Sequence, residues 1–180
     1  MTIYTYDTEF LEDGSTIELI SIGIVCEDGR EYYAVNSDAD WDRIEKDDWL
    51  MTNVVSHLPL REGKGPYKFE RRSWIWGLDR SSVLIRPKLL IANEVREFLL
   101  AGESAPELWA YYGAYDHVAL AQLWGKMILL PKGIPMWTHE LMQHLEQMPE
   151  GFAKPPQEDE HHALADARWN MKLLKAMDQA

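Results

Sequence analysis

Three stretches near the start decide the fold class: Thr2–Glu9 (TIYTYDTE), Ile17–Val25 (IELISIGIV) and Glu31–Asn36 (EYYAVN). The first is rich in Ile, Tyr and Thr, residues that suit a pleated surface. Glu12-Asp13-Gly14-Ser15 then marks a turn. The second is an almost unbroken apolar run, as expected of a central strand covered on both faces. Asp28-Gly29 supplies a two-residue hairpin signal before the third. The chain therefore opens as an antiparallel meander rather than a βαβ unit.

Downstream the periodicity turns helical. Over 40–55 the spacing predicts a helix burying Trp41, Ile44, Trp49 and Val54. Residues 57–73, with their Pro, Gly and basic residues, read as a long, partly ordered loop. Pro87 starts a helix through Leu100, with Leu90, Ile91, Val95, Phe98 and Leu99 inward and Gly102 as its C-cap. A fourth strand is predicted over 107–112. A helix from Asp116 to Trp124 follows, then one capped by Thr138 and running to about Met148. Residues 149–160 read as a mobile loop, and 163–177 as the last helix. Meander strands followed by alternating helix and strand make a mixed-sheet α/β domain, and the length of 180 residues fits a single domain over 1–180.

Composition narrows the function classes. No run of about eighteen apolar residues exists to span a membrane, and the N-terminus lacks the basic-then-apolar pattern of a signal peptide. The lone Cys26 excludes an internal disulfide and lies in an apolar run, so a buried thiol in a reducing cytoplasm is expected. A net charge of −12 argues on its face against nucleic acid. The distribution is uneven, however. Residues 1–50 hold fourteen acids and three bases, whereas 61–88 hold Arg61, Lys64, Lys68, Arg71, Arg72, Arg80, Arg86 and Lys88 against Glu62, Glu70 and Asp79. That local excess of +5 is equally compatible with a solvated loop and with a strip guiding phosphates.

Four carboxylates carry the chemistry. Asp7 and Glu9 are two apart on a strand, so both face one side. Two acids on an otherwise apolar strand repel each other and resist desolvation, and a divalent cation would offset both costs. A strand delivers Asp116 to the sheet tip where a helix starts. Asp166 lies in the last helix. His161 precedes it by five and converges with it only from the loop before that helix, whereas His162, four before, could share a helix face with it. A histidine in such a position suits a general base, because the ordinary imidazole exchanges a proton near neutrality. His139-Glu140 with His144 superficially suggests a zinc-protease helix, but that motif needs its histidines four apart and here they are five apart.

Each acid alone has an ordinary explanation. Together, in this order, Asp7-x-Glu9, an aromatic-x-Asp116 and His161-x-x-x-x-Asp166 resemble the histidine-containing branch of the DnaQ-like (DEDD) 3′–5′ exonuclease superfamily. The stretches Asp7–Phe10, Ile17–Gly23, Gly113–Leu120 and His161–Arg168 look closer still to the polyadenylate-specific 3′-exoribonuclease family, ribonuclease AS. The resemblance spans nearly the whole chain and is weakest across 56–88. Tyr112 stands where many superfamily members have Asn, so any role for that amide is absent.

The resemblance implies a ribonuclease-H-like, mixed five-stranded sheet of order 3-2-1-4-5 with flanking helices. It implies two Mg²⁺ or Mn²⁺ ions held by Asp7, Glu9, Asp116 and Asp166, with His161 as general base and Glu9 also meeting the terminal ribose. Phe10, Glu18 and Tyr115 are the candidate substrate contacts. The implied partner is the 3′ end of single-stranded RNA, with poly(A) preferred and nucleoside 5′-monophosphates released. A homodimer is also implied.

Overall fold

The computed structural model describes residues 1–69 and 73–180. β1 (Thr2–Glu12), β2 (Ile17–Cys26) and β3 (Glu31–Asn36) form the antiparallel meander. Asp13 Oδ1 accepts the Ser15 and Thr16 amides in the first turn. After α1 (Trp41–Ile44) and α2 (Asp48–Asn53), β4 (Tyr67–Phe69) and β5 (Ser73–Ile75) make a separate hairpin. β6 (Ile85–Arg86), α3 (Lys88–Leu100), β7 (Pro106–Ala110), α4 (Ala114–Ala121), β8 (His139–Glu140), α5 (Leu141–Leu145) and α6 (Ala163–Met177) complete the chain.

The main sheet has six strands in the order β6-β3-β2-β1-β7-β8, with β7 parallel to β1 and β8 parallel to β7. The expected 3-2-1-4-5 order is its β3-β2-β1-β7-β8 portion, consistent with a ribonuclease-H-like fold. The added edge strand β6 lies parallel to β3 through Val35 and Asn36. Alternation along β1 assigns the faces. Tyr4 and Tyr6 join Ile22, Ile24, Ile91, Val95 and Leu99 in a core beneath α3 and α4. Thr5 points the other way, donating its hydroxyl to the Ala167 carbonyl of α6 at 2.7 Å. Val35, Ile44, Met51 and Val54 form a further core under α1 and α2.

Gly23 brings α6 onto this second face. A Cβ there would fall inside the van der Waals envelope of the Ala163 and Leu164 backbone, so only glycine lets the N-terminus of α6 lie on β2.

Several local expectations need correction. The helix expected over 40–55 is two helices. Asp40 accepts the Arg43 amide, and Asp47 accepts those of Trp49 and Leu50, so the second cap starts a new helix where the spacing would have continued the first. Ile44 and Val54 are buried, but Trp49 is 52% exposed. On α3, Ile91, Val95 and Leu99 point inward with Ala92, whereas Leu90 is 40% exposed and Phe98 only partly buried. Gly102 follows α3 without a left-handed φ; its smallness serves a close approach, since a Cβ would lie 2.8 Å from Thr2 Oγ1 and from the Tyr4 hydroxyl. Thr138 is not the cap of the helix that follows it. Its hydroxyl joins that of Tyr6 (2.5 Å) and His117 Nδ1 (3.0 Å), and Glu140 caps a helix that ends at Leu145.

Candidate active site

β1 outlasts its neighbour. Its ladder with β7 stops at Thr5↔Trp109, while pairing with β2 continues past Glu9. The stretch carrying Asp7, Thr8 and Glu9 therefore has one edge open, and a cleft of about 420 Å³ forms there. Asp116, from the first turn of α4, reaches that edge. Its Oδ1 accepts the Thr8 amide at 2.8 Å and the Thr8 hydroxyl at 2.6 Å, satisfying a donor the missing β7 partner leaves unpaired.

α6 supplies the other wall. Asp166 lies one turn from its start, and ligand atoms of Asp7, Glu9 and Asp166 all fall within 4.8 Å of one another. Asp166 Oδ2 accepts the His161 amide at 2.9 Å, and Oδ1 accepts the Gln157 side-chain amide at 2.7 Å.

His161 sits in the loop before α6 with a left-handed φ of 68°. That turn takes it off the helix and lets a residue five before Asp166 line the same cleft. Its ring meets the edge of Trp49 with centroids 4.9 Å apart. His162 is occupied otherwise: it is the N-cap of α6, its Nδ1 accepting the Ala165 amide at 3.3 Å, and it stacks on Tyr33 at 4.6 Å. Burial pushes its pKa below the ordinary value.

Electrostatics single out the carboxylates. Burial first, then the charges of Asp116, Glu9 and Asp166, raise Asp7 well above the usual carboxylate range. Burial, then Asp166 and Asp116, push Glu9 up to about 8. Burial lifts Asp116 to about 6 against the two Thr8 hydrogen bonds. Asp166 is raised by burial, opposed by Gln157 and the His161 amide. The described residues lining the cleft include Asp7, Glu9, Asp116, Glu160 and Asp166 but no Lys or Arg. Clustered hard oxygen donors with no internal counter-charge fit divalent cations.

Aromatic side chains line the rest. Phe10 and Tyr115 stack nearly parallel with centroids 5.9 Å apart, and Tyr111, Tyr112, Trp49 and Trp169 also face the cleft. Glu18 does not. It sits partly buried at the start of β2, where its Oε1 accepts the Asp40 amide at 3.1 Å. The basic strip is dispersed: Lys68 pairs with Asp48 and lies over Trp74, and Arg86 is 3.7 Å from Glu94. Arg71, Arg72 and Glu70 lie outside the described residues.

Spacing alone missed Thr8, Gln157 and Trp49. Thr8 points away from its flanking acids, and only the open edge of β1 gives it a role. Gln157 belongs to a segment expected to be mobile, yet that segment is fastened. The Trp169 indole donates to the Pro155 carbonyl at 3.0 Å, and Lys154 reaches the Tyr111 hydroxyl at 3.2 Å.

A mixed sheet whose central strand, fourth helix and last helix bring acids to one cleft is the architecture of the DnaQ-like nuclease superfamily. Residues 68–177 match the family described as the Rv2179c-like 3′–5′ exoribonuclease domain. Two relatives from Mycobacterium tuberculosis are each 43% identical over 181 residues, spanning 98% of this chain and 95% of theirs. They are the 3′–5′ exoribonuclease Rv2179c of strain ATCC 25618/H37Rv and the 3′–5′ exoribonuclease MT2234.1 of strain CDC 1551/Oshkosh. The chain belongs to the Rv2179c-like 3′–5′ exoribonuclease family.

Proposed function

We propose that this protein is a divalent-metal-dependent 3′–5′ exoribonuclease that releases nucleoside 5′-monophosphates from single-stranded RNA, preferentially poly(A). The observation that carries the reading is the meeting of Asp7, Glu9 and Asp166 within 4.8 Å in a cleft that Asp116 also lines. Kinship with proteins named exoribonucleases favours RNA over DNA.

In this reading Asp7, Glu9, Asp116 and Asp166 hold two Mg²⁺ or Mn²⁺ ions. Bound there, the ions supply Lewis-acid stabilisation of charge on the scissile phosphate and make water more acidic. His161 accepts the proton of the attacking water from its loop above the acids. Glu9 also accepts from the terminal ribose hydroxyls, which RNA has and DNA lacks in part. Phe10 and Tyr115 stack the terminal bases, and purines offer such a platform the larger face. Glu18, outside the cleft, supports the β2 start rather than substrate.

A homodimer belongs to the same reading. The stretch 127–137 exposes Met127, Ile128, Leu129, Met136 and Trp137, an apolar surface that a second copy would cover. The buried, unpaired Cys26 suits a reducing cytoplasm, and among the described residues no helix is long and apolar enough to cross a membrane.

The deciding experiment is digestion of 3′-end-matched poly(A), poly(U), mixed RNA and single-stranded DNA with Mg²⁺ or with chelator. The expected outcome is Mg²⁺-dependent release of 5′-mononucleotides, fastest from poly(A). Equal rates on poly(U) would remove the base preference, faster DNA digestion would reverse the sugar preference, and activity in chelator would remove the metal reading.

A further inference from the structure

The apolar run of β2 contains one hydroxyl, Ser21, with no exposed surface. It is the cross-strand partner of Glu9 on one side and of Val35 on the other. Directly opposed residues place their Cβ atoms about 4.5–5.5 Å apart on one face. Ser21 thus lies beside the Glu9 side chain, on the side away from the open edge of β1. One diagonal further, Tyr33 of β3 projects on the same face as the partner of Gly23. Its ring is clamped against His162. Among the described residues, neither the Ser21 hydroxyl nor the Tyr33 hydroxyl, both buried, has a hydrogen-bond partner.

Two orphaned hydroxyls in one interior are costly, because each loses its hydration without replacement. A buried hydroxyl tolerated in this way calls for an acceptor that arrives with function.

We infer that Ser21 and Tyr33 are positioning residues for Glu9, Ser21 donating to the Glu9 carboxylate and Tyr33 donating to Ser21 when the acid holds a cation. The inference rests on the reading of Glu9 as a metal ligand. An outer hydrogen bond of this kind fixes the ligand's orientation, and losing one typically weakens metal binding 10–100-fold. The Tyr33 hydroxyl stands one step further from Glu9 than that of Ser21, so its effect on Glu9 is the smaller.

The test compares wild type with Ser21→Ala and Tyr33→Phe in two measurements, the thermal midpoint in chelator and the Mn²⁺ dissociation constant by calorimetry. Removing an orphan hydroxyl leaves the metal-free protein as stable as before, or more stable. Mn²⁺ binding weakens about tenfold or more in Ser21→Ala, and less in Tyr33→Phe. These opposite signs separate positioning from a merely structural role. Tyr33→Ala, which also removes the ring from His162, is expected to lower the midpoint in chelator as well. Unchanged Mn²⁺ affinity in both conservative variants, or a fall in chelator midpoint that accounts for the loss, overturns the inference alone. Failure of wild type to bind Mn²⁺ overturns both it and the metal reading.

Discussion

His161 and His162 are neighbours in sequence with opposite employment. The ring of His161 is free of hydrogen bonds among the described residues and faces the acids, whereas His162 spends its Nδ1 on the α6 cap and its face on Tyr33. His161→Ala is therefore expected to lower kcat about 10²–10⁴-fold with Mn²⁺ affinity nearly intact, as loss of a general base does. His162→Ala is expected to cost about 1 kcal/mol of stability through the lost cap and only a few-fold in kcat. The reverse pattern would assign the base to His162. The raised carboxylates give a second outcome at this scale. Glu9 moves from 4.5 to about 8, so the folded protein holds its proton more tightly than the unfolded chain. Its contribution is fully present below pH 4.5 and is lost as pH rises through about 8. In chelator, the thermal midpoint of wild type should thus fall relative to Glu9→Gln between about pH 5 and pH 8. Mg²⁺ should offset that fall, most strongly at the alkaline end, and parallel pH curves for the two proteins would disprove the linkage. Asp7 and Glu9 were legible as a pair because a two-residue spacing on a strand fixes a shared face, whereas Asp116 and Asp166 joined them only through the family resemblance. Thr8 and Gln157 were not, since their value arises from an open strand edge and a folded-back loop, both products of tertiary structure.

At the scale of elements, the site depends on how closely α6 lies on β2. Gly23 sets that distance, with Ala163 and Leu164 backbone occupying the space of a Cβ. Gly23→Ala must lift the α6 N-terminus, and with it Asp166 and the His161 loop. Such overpacking costs about 1–3 kcal/mol, or roughly 2–4 °C per kcal/mol in a chain of this size. A scan should show the midpoint falling by several degrees, and Mn²⁺ affinity should fall beyond what partial unfolding explains. A Gly23→Ala protein with wild-type midpoint and affinity would show that α6 tolerates displacement. Hydrophobic periodicity located α6, α3 and the meander, because long apolar patterns are dictated by burial. It joined α1 to α2 because side-chain caps at Asp40 and Asp47 leave the spacing of Ile44 and Val54 unchanged. It also mistook Trp49 for core. A half-exposed tryptophan reads as buried until its contact, the His161 ring, is known.

For the whole molecule, charge and apolar surface need to be read by place rather than by sum. The −12 total argues on its face against a nucleic-acid partner, yet the cleft concentrates five acids where cations would offset them. The strand order followed from the family resemblance, not from periodicity. β6 escaped notice because it is two residues long and pairs with β3 only through Val35 and Asn36. Quaternary structure is the remaining expectation at this scale. Ile128 is 86% exposed, Trp137 63% and Leu129 62%, all within eleven residues along the chain. Leaving such side chains in water forfeits about 1.5–3 kcal/mol each relative to burial, which association of two copies would recover. Sedimentation at micromolar concentration should give twice the 20.9 kDa chain mass for wild type. Ile128→Asp combined with Trp137→Asp should give the single-chain mass, with the chelator midpoint preserved if the monomer folds independently. Because none of these residues lines the cleft, any accompanying loss of nuclease activity would mean that a second copy helps to shape the substrate path. Wild type sedimenting as a single chain would instead leave the 127–137 surface free for another partner.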